Sequence, residues 1–322
     1  GLVTIRDLSP ERPNLWKRDL TPCISVGNLA MGGRGKTPVV MHLARLLVDA
    51  GERPAVLSRG YGRRLVEPGV VVVSDGTHVQ ADLDRGGDEP LLIARAVAGA
   101  AVLVCEQRAI ARVLAERALG ATVILLDDGF QHRQVRRDVD LVIVSAEDLR
   151  DRPVPFGRLR EPVRALGRAD AVIVDGGANA ADPALAGRHT LALRRSIGAA
   201  VPVEADRPWV PNAGPVVAVA GIAQPERFAE SLTAAGWTVT RMMSFRDHHA
   251  YRPIDLAAIV AAVKETGAVG AVTTEKDAVR LRPLRPLPCP VATIPLDVSI
   301  EPAAEFREWL FDRLRAAREA RA

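Results

Sequence analysis

Aromatic side chains make up only 4% of this 322-residue chain, so its core must be assembled mainly from Ala, Val, Leu and Ile within an apolar share of 48%. That share is ample for one large or two medium domains, and two is the prior for this length. Cysteine is scarce as well. Cys23, Cys105 and Cys289 lie far apart, leave one thiol over in any disulfide scheme and lack metal-ligand spacing. A disulfide scaffold is excluded, and a reducing cytoplasm is the simplest setting. Long apolar runs are missing too: the longest, Ala96 to Cys105, is half of the roughly 18–20 residues a spanning helix needs. Lysine is confined to Lys17, Lys36, Lys264 and Lys276, so nearly all positive charge is arginine and Lys36 and Lys276 stand out. A formal charge of +4 suits an anionic ligand or surface, yet 43 basic residues against 39 acidic ones is a near balance that does not imply nucleic acid.

What the chain does have is a glycine-rich loop in the right setting. Ile24-Ser25-Val26-Gly27-Asn28 reads as a buried strand, Leu29-Ala30-Met31-Gly32-Gly33-Arg34-Gly35 as a loop, and Lys36-Thr37-Pro38 as the first turn of a helix. Glycines let backbone N–H groups converge on one anion, and the helix start adds its dipole and unpaired donors. Lys36 would reach the terminal phosphates of a nucleotide, and Thr37 would ligate the Mg²⁺ that bridges them. Ala30 stands where the strict pattern has its first glycine, so a second motif is required; a glycine-rich strand-to-helix turn with an incidental lysine is the competing reading.

Apolar strands alternate with helical segments along most of the chain. Val39 to Ala50 has helical spacing, Arg53 to Ser58 is a short strand leading to Arg59-Gly60-Tyr61-Gly62, and strands are expected at Val70 to Val73, Ala101 to Cys105, Thr122 to Leu126, Leu141 to Ser145 and Ala171 to Val174. Such a pattern predicts an α/β fold with a mostly parallel sheet flanked by helices, of the phosphate-loop NTPase type, with ligands at the carboxyl ends of the strands. Thr190 to Arg194 and Val201 to Val203 read as antiparallel edge pieces. Residues 206–215 hold three prolines and mark a linker, which predicts a phosphate-loop domain over 1–205 and a second, smaller α/β domain over 216–322, ending in an amphipathic helix from Pro302 to Arg321.

The second motif is Val123-Ile124-Leu125-Leu126-Asp127-Asp128, an apolar strand ending in two carboxylates, where phosphate-loop proteins hold the Mg²⁺ shell; adjacent aspartates also begin many turns. Gly86-Gly87-Asp88-Glu89-Pro90 reads either as an N-cap with a first-turn acid or as a general base acting on a hydroxyl. A partner for that base is offered by Asp247-His248-His249 in the second domain, since a histidine near a carboxylate orients it and tunes its pKa. Arg59, Arg133, Arg158 and Arg160 are candidates to neutralise charge on a transferred group, against the alternative of solvated surface arginines. Thr273-Thr274-Glu275-Lys276-Asp277 follows a strand end and fits a capping box with Thr274 facing Asp277.

Together these motifs resemble the tetraacyldisaccharide 4'-kinases of lipid A biosynthesis. The matching pieces run in that family's order over roughly residues 22 to 300: Ser25-Val26-Gly27-Asn28 with Gly32 to Pro38, Ser58-Arg59-Gly60-Tyr61-Gly62, Gly87-Asp88-Glu89-Pro90, Asp127-Asp128-Gly129-Phe130-Gln131-His132, Arg160-Glu161-Pro162, Ala220 to Phe228, Asp247-His248-His249 and Thr273 to Asp277. The resemblance implies transfer of the ATP γ-phosphate, with Mg²⁺, to the 4'-hydroxyl of a tetraacylated glucosamine disaccharide 1-phosphate at the cytoplasmic face of the inner membrane. It implies that Met31 to Pro38 cradle the nucleotide with Tyr61 as a gate, and that Thr37, Asp127 or Asp128, and Glu161 organise Mg²⁺. Asp88 would be the base with His248 as its partner, and Glu89 would lie close to the phosphates. A pair drawn from two domains predicts a site completed on closure about the linker. The chain has only about 22 residues before the matched core, with Leu15, Trp16, Lys17, Arg18 and Leu20 as the material for peripheral membrane attachment. Two rivals remain at this point: a kinase of another lipid or sugar, and a partition-type switch ATPase, whose deviant loop carries a lysine where Met31 stands.

Overall fold

The computed structural model describes residues 21–32, 35–176, 182–206, 209 and 214–321. Two compact units divide the chain, one formed by residues 1–194 and 298–322 and the other by 195–297. The expected boundary at 206–215 therefore moves to Arg194/Arg195, and much of the proline-rich stretch lies outside the described residues.

In the first unit β1 (Cys23–Asn28) leads through the glycine-rich loop to α1 (Lys36–Asp49) and β2 (Pro54–Ser58). Next come β3 (Val71–Asp75), α2 (Leu83–Gly86), α3 (Asp88–Ala96), β4 (Ala101–Val104), α4 (Arg108–Arg117), β5 (Val123–Asp127), β6 (Val139–Ser145), α5 (Ala146–Arg150), β7 (Ala171–Asp175) and β8 (Thr190–Ile197). Continuous Val, Ile and Leu make β1, β2, β4, β5 and β7 buried along their whole length, as strands covered on both faces must be. Helix α1 buries Val39, Val40, Leu43, Ala44 and Leu47, a stripe at helical spacing, against β1, β2 and β5. Ala111, Leu114 and Ala115 of α4 join Leu57, Leu103, Ile124 and Leu126 in one core cluster.

The second unit contains β9 (Val201–Pro202), β10 (Val216–Ala220), α6 (Pro225–Ala234), β11 (Val239–Ser244), α7 (Pro253–Thr266), β12 (Gly270–Thr274), α8 (Glu275–Leu281) and β13 (Val291–Ile294). Its five strands run in the order β11-β10-β12-β13-β9, parallel except for β9. Helix α7 and α8 close one core around Val217, Val219, Ile259 and Leu281, while Phe228 and Leu232 of α6 pack with Val216, Ala218 and Val272.

β14 (Leu296–Glu301) joins the first sheet and α9 (Ala303–Glu319) follows it. Among the described residues that sheet has nine strands in the order β14-β8-β7-β6-β1-β5-β2-β4-β3. Two expectations are corrected here. The C-terminal helix belongs with the first unit because Phe306, Leu310 and Leu314 are buried and Arg318 and Arg321 pair with Glu52 and Asp138, both at 2.7 Å. Strand β8 runs parallel to β7, and β9 pairs antiparallel with β13 in the other sheet, so they do not form an edge pair. At the other edge of the first sheet β3 pairs antiparallel with β4.

The order places β1 between β5 and β6, so the chain first winds outward from β1 to one side and then to the other. The crevice at such a switch point is where α/β sheets bind ligands. Val26 is registered with Asp127, and Leu57 with Leu126, so the ends of β1, β2 and β5 open at the same edge. Gly27 makes this edge tight: a Cβ there would stand 2.5 Å from Phe130 Cβ and 2.9 Å from its backbone N. Gly27→Ala is expected to destabilise the chain by about 1–3 kcal/mol through overpacking. A lowered denaturant midpoint with unchanged slope would report it; an unchanged midpoint would contradict the close approach.

Candidate active site

Lys36 is the first residue of α1, preceded by Gly35 with φ of 71°, a left-handed conformation that glycine adopts without strain. Gly33 and Arg34, expected in the phosphate cradle, lie outside the described residues, while Met31 and Gly32 are exposed and Thr37 and Pro38 half-buried. The Lys36 ammonium donates to Asn28 Oδ1 at 3.2 Å and pairs with Asp128 at 3.3 Å. Asn28 is fully buried at the end of β1, donates to the Ala30 carbonyl at 2.9 Å, and its own carbonyl accepts from Gln131 Nε2 at 3.0 Å. The lysine is thus fixed at both ends, by the helix that carries it and by polar groups at two strand ends.

Asp127 and Asp128 close β5 and behave oppositely. Burial pushes Asp127 up to about 6, helped by the nearby charges of Glu89 and Asp128. Burial also pushes Asp128 upward, but Lys36 and Arg160 outweigh it and hold that carboxyl below its usual range. Asp128 takes φ of 52°, which in a non-glycine residue costs on the order of 1–3 kcal/mol, and this turns its carboxylate toward Lys36 and Arg160. Ser58 Oγ, at the end of β2, donates to Asp127 at 3.3 Å.

Acidic groups this close, one of them driven toward its neutral form, are what a divalent cation would relieve. Among the described residues no group of three or more His, Cys, Asp or Glu side chains forms a self-sufficient metal site. Mg²⁺ does not ask for one, because it retains waters and is held by one or two carboxylates together with substrate phosphates. The donor set of Thr37, Asp127 and Asp128 fits that ion.

Arg108 was not anticipated. It is 2% exposed at the start of α4, donates to the Asp128 carbonyl at 3.0 Å, and its pKa is lowered by burial against the partial support of Asp127 and Asp128. The available signal was a cation in the first turn of a helix, where it opposes the dipole and so asks for an acidic neighbour.

The arginine segment straps the loop. Met31 N donates to the Arg158 carbonyl at 2.7 Å and Arg160 N to the Leu29 carbonyl at 2.6 Å, around an antiparallel bridge between Ala30 and Leu159. This carries the Arg160 guanidinium to 2.8 Å from Asp128. Arg158 points elsewhere, pairing with Asp151 at 2.9 Å and Glu147 at 3.4 Å. Glu161 pairs with Arg168 at 2.9 Å and with the exposed Arg133 at 3.4 Å, and these cations help to hold its pKa low despite burial.

Asp88 is 5% exposed and opens α3. The N-cap is Gly87, with φ of 83° and no capping side chain, so the reading of Asp88 as the cap is corrected; its Oδ1 accepts from Glu89 N at 2.9 Å. A Cβ on Gly87 would touch the Tyr61 carbonyl at 3.4 Å, so the Gly60-Tyr61 turn packs beside the start of α3. Tyr61 itself is 75% exposed and Arg59 is exposed. Glu89 lies near enough to Asp127 to raise its pKa. Asp88, Glu89, Lys36, Asp127, Asp128 and Arg160 therefore belong to the first unit.

His248 stands in the second unit, after β11, with φ of 57°. Its Nε2 is 3.3 Å from Lys276 Nζ and 3.8 Å from Asp247. His249 instead stacks on Phe245 and bonds Asp255 at 3.1 Å. Thr274 caps α8 by accepting from Asp277 N, the threonine half of the expected capping box, while the Asp277 carboxylate accepts from the Thr274 hydroxyl at 2.6 Å.

The family described as Tetraacyldisaccharide-1-P 4'-kinase matches residues 7–315 of this chain. A tetraacyldisaccharide 4'-kinase of Syntrophus aciditrophicus is 39% identical over 94% of this chain and 87% of its own length, and one of Nitrobacter winogradskyi is 42% identical over 88% and 80%. The solved LpxK of Aquifex aeolicus in complex with ATP is 31% identical, covers 91% of this chain and 89% of its own, and superposes with a TM-score of 0.73. The switch-ATPase reading, already at odds with Met31, is not favoured by these likenesses. With a family match spanning nearly its whole length, this chain belongs to the tetraacyldisaccharide 1-phosphate 4'-kinases.

Proposed function

We propose that the chain transfers the γ-phosphate of ATP to the 4'-hydroxyl of a tetraacylated glucosamine disaccharide 1-phosphate. The observation that carries this reading is the convergence of Lys36, Asp127 and Asp128 at one sheet edge, in a member of this family. Lys36 binds the β- and γ-phosphates as a point charge, released from Asp128 as the phosphates enter. Loop N–H groups at the start of α1 add fixed donors. Thr37 and Asp127 or Asp128 would hold Mg²⁺, which would supply neutralisation of the phosphate charge. Arg160 offsets charge growing on the transferred group, Asp88 takes the proton of the attacking hydroxyl, and His248 is a second candidate for acid–base work. Arg59, Arg133, Glu89 and Glu161 bear on the same electrostatics from further out.

Among the described residues no helix is long and apolar enough to cross a membrane. A four-chain lipid acceptor nonetheless has to be met at a bilayer, and we place the enzyme peripherally on the inner face of the inner membrane. Leu15, Trp16, Lys17, Arg18 and Leu20, the attachment material read from the sequence, lie outside the described residues.

The reading is tested by incubating the chain with ATP, Mg²⁺ and the acceptor in detergent micelles and locating the new phosphate by ³¹P NMR. A second phosphomonoester at the 4'-oxygen supports it, and an acceptor lacking the 4'-hydroxyl should receive none. Phosphate at another position, or none on lipid while ATP is hydrolysed, would overturn it.

A further inference from the structure

The Thr273 to Asp277 motif has no part in the proposed chemistry so far, yet its charged side chains converge on the histidine loop. Asp277 is fully buried in α8 and accepts from Gly221 N at 3.1 Å, Tyr251 Oη at 2.9 Å and Thr274 Oγ at 2.6 Å. Arg280, one turn on and 5% exposed, donates to the Gly221 carbonyl at 3.0 Å and the His249 carbonyl at 3.3 Å. Gly221 is locked in this clasp: a Cβ on it would lie 3.0 Å from Asp277 Oδ1 and 3.3 Å from both the Arg246 carbonyl and Arg280. One short helix therefore grips the backbone at Gly221 and at His249, the residue that follows 246–248.

From that frame α8 projects Lys276. Its ammonium lies 3.3 Å from His248 Nε2 and 3.5 Å from Asp247 Oδ1, and the side chain is 16% exposed. A lysine ammonium has donors only, so the imidazole nitrogen facing it must be the acceptor. His248 is then neutral with its proton on Nδ1, because an Nε2–H pointed at an ammonium would oppose two donors. Asp247 lies beside both groups, 3.5 Å from the ammonium and 3.8 Å from the ring nitrogen.

We propose that Lys276 is a positioning residue for His248, fixing the orientation and the Nδ1–H tautomer of its ring, and that the Asp277 clasp exists to hold Lys276 and the histidine loop in register. The assignment rests on the acid–base role proposed for His248. A wrong tautomer presents a donor where an acceptor is needed, so the effect falls on turnover rather than on binding.

The test uses the full-length chain with ¹⁵N-labelled histidine, His248 being assigned by comparison with His248→Gln. In the unmodified enzyme His248 Nε2 should show the shift of an unprotonated, hydrogen-bonded nitrogen. In Lys276→Met that shift should move, kcat for lipid phosphorylation should fall about 10–100-fold with KM for ATP within about twofold, and Lys276→Arg should recover part of the loss. Circular dichroism and the unfolding midpoint identify any variant that has failed to fold, and Asp277→Asn serves as a structural control that lowers the midpoint. An unchanged Nε2 shift in a folded Lys276→Met would overturn the proposal. Should His248→Gln retain full turnover, the role of His248 fails instead, while the NMR result still reports whether Lys276 sets the tautomer.

Discussion

Asp88→Asn is expected to lower kcat for lipid phosphorylation by about 10²–10⁴-fold, the range for loss of a general base, while ATP affinity changes little. The asymmetry follows from what the residue is asked to do. A base acts on a proton that moves only as the hydroxyl attacks, so its interaction energy belongs to the transition state. The structure gives Asp88 the setting for this. It is buried at the start of α3 and does not serve as the cap, a role filled by Gly87. The asparagine keeps shape and most hydrogen bonds, so a matched loss of ATP affinity and turnover would identify Asp88 as an architectural residue. Isothermal titration with a non-hydrolysable ATP analogue, set against steady-state rates, separates the two outcomes.

Lys36→Ala is expected to act on both quantities. Removing one positioned charge from a phosphoryl-transfer site costs about 10²–10³-fold in kcat, and here the same ammonium binds ground-state phosphates, so KM for ATP should rise as well. The substitution also leaves Asp128 facing Arg160 without its second cation and leaves Asn28 Oδ1 without its donor. Lys36→Arg should not restore activity, because a planar fork cannot replace a compact charge aimed between Asn28 and Asp128. The check is kcat and KM for ATP in all three forms, with unfolding midpoints alongside; full activity in the arginine variant would contradict the anchoring described here.

Much of the fold is legible in the sequence. Strands whose burial is complete on both faces leave continuous apolar runs, so β1, β2, β4, β5 and β7 could be read directly, and the residues at their ends followed. Less legible was anything decided by tertiary pairing. Val201 to Val203 has the composition of an edge strand, but composition does not say of which sheet, and β9 pairs with β13. The amphipathic stripe of α9 says that it packs, not against what; long-range pairs from Arg318 to Glu52 and Arg321 to Asp138 decide it. In the candidate site, residues within motifs are legible in the sequence, whereas a single arginine such as Arg108, in a chain with 25% charged residues, carries almost no signal. Arg158 and Arg160 look equivalent in sequence, and only the bridge from Ala30 to Leu159 turns one to Asp128 and the other to Asp151.

The most direct test of the central claim is the fate of the γ-phosphate. With γ-³²P-labelled ATP and a tetraacyldisaccharide 1-phosphate in mixed micelles, label should pass to the lipid in step with ADP formation, and little should appear as free phosphate. Label recovered only as inorganic phosphate, at a rate indifferent to the lipid, would contradict the account and identify a hydrolase using the same sheet edge.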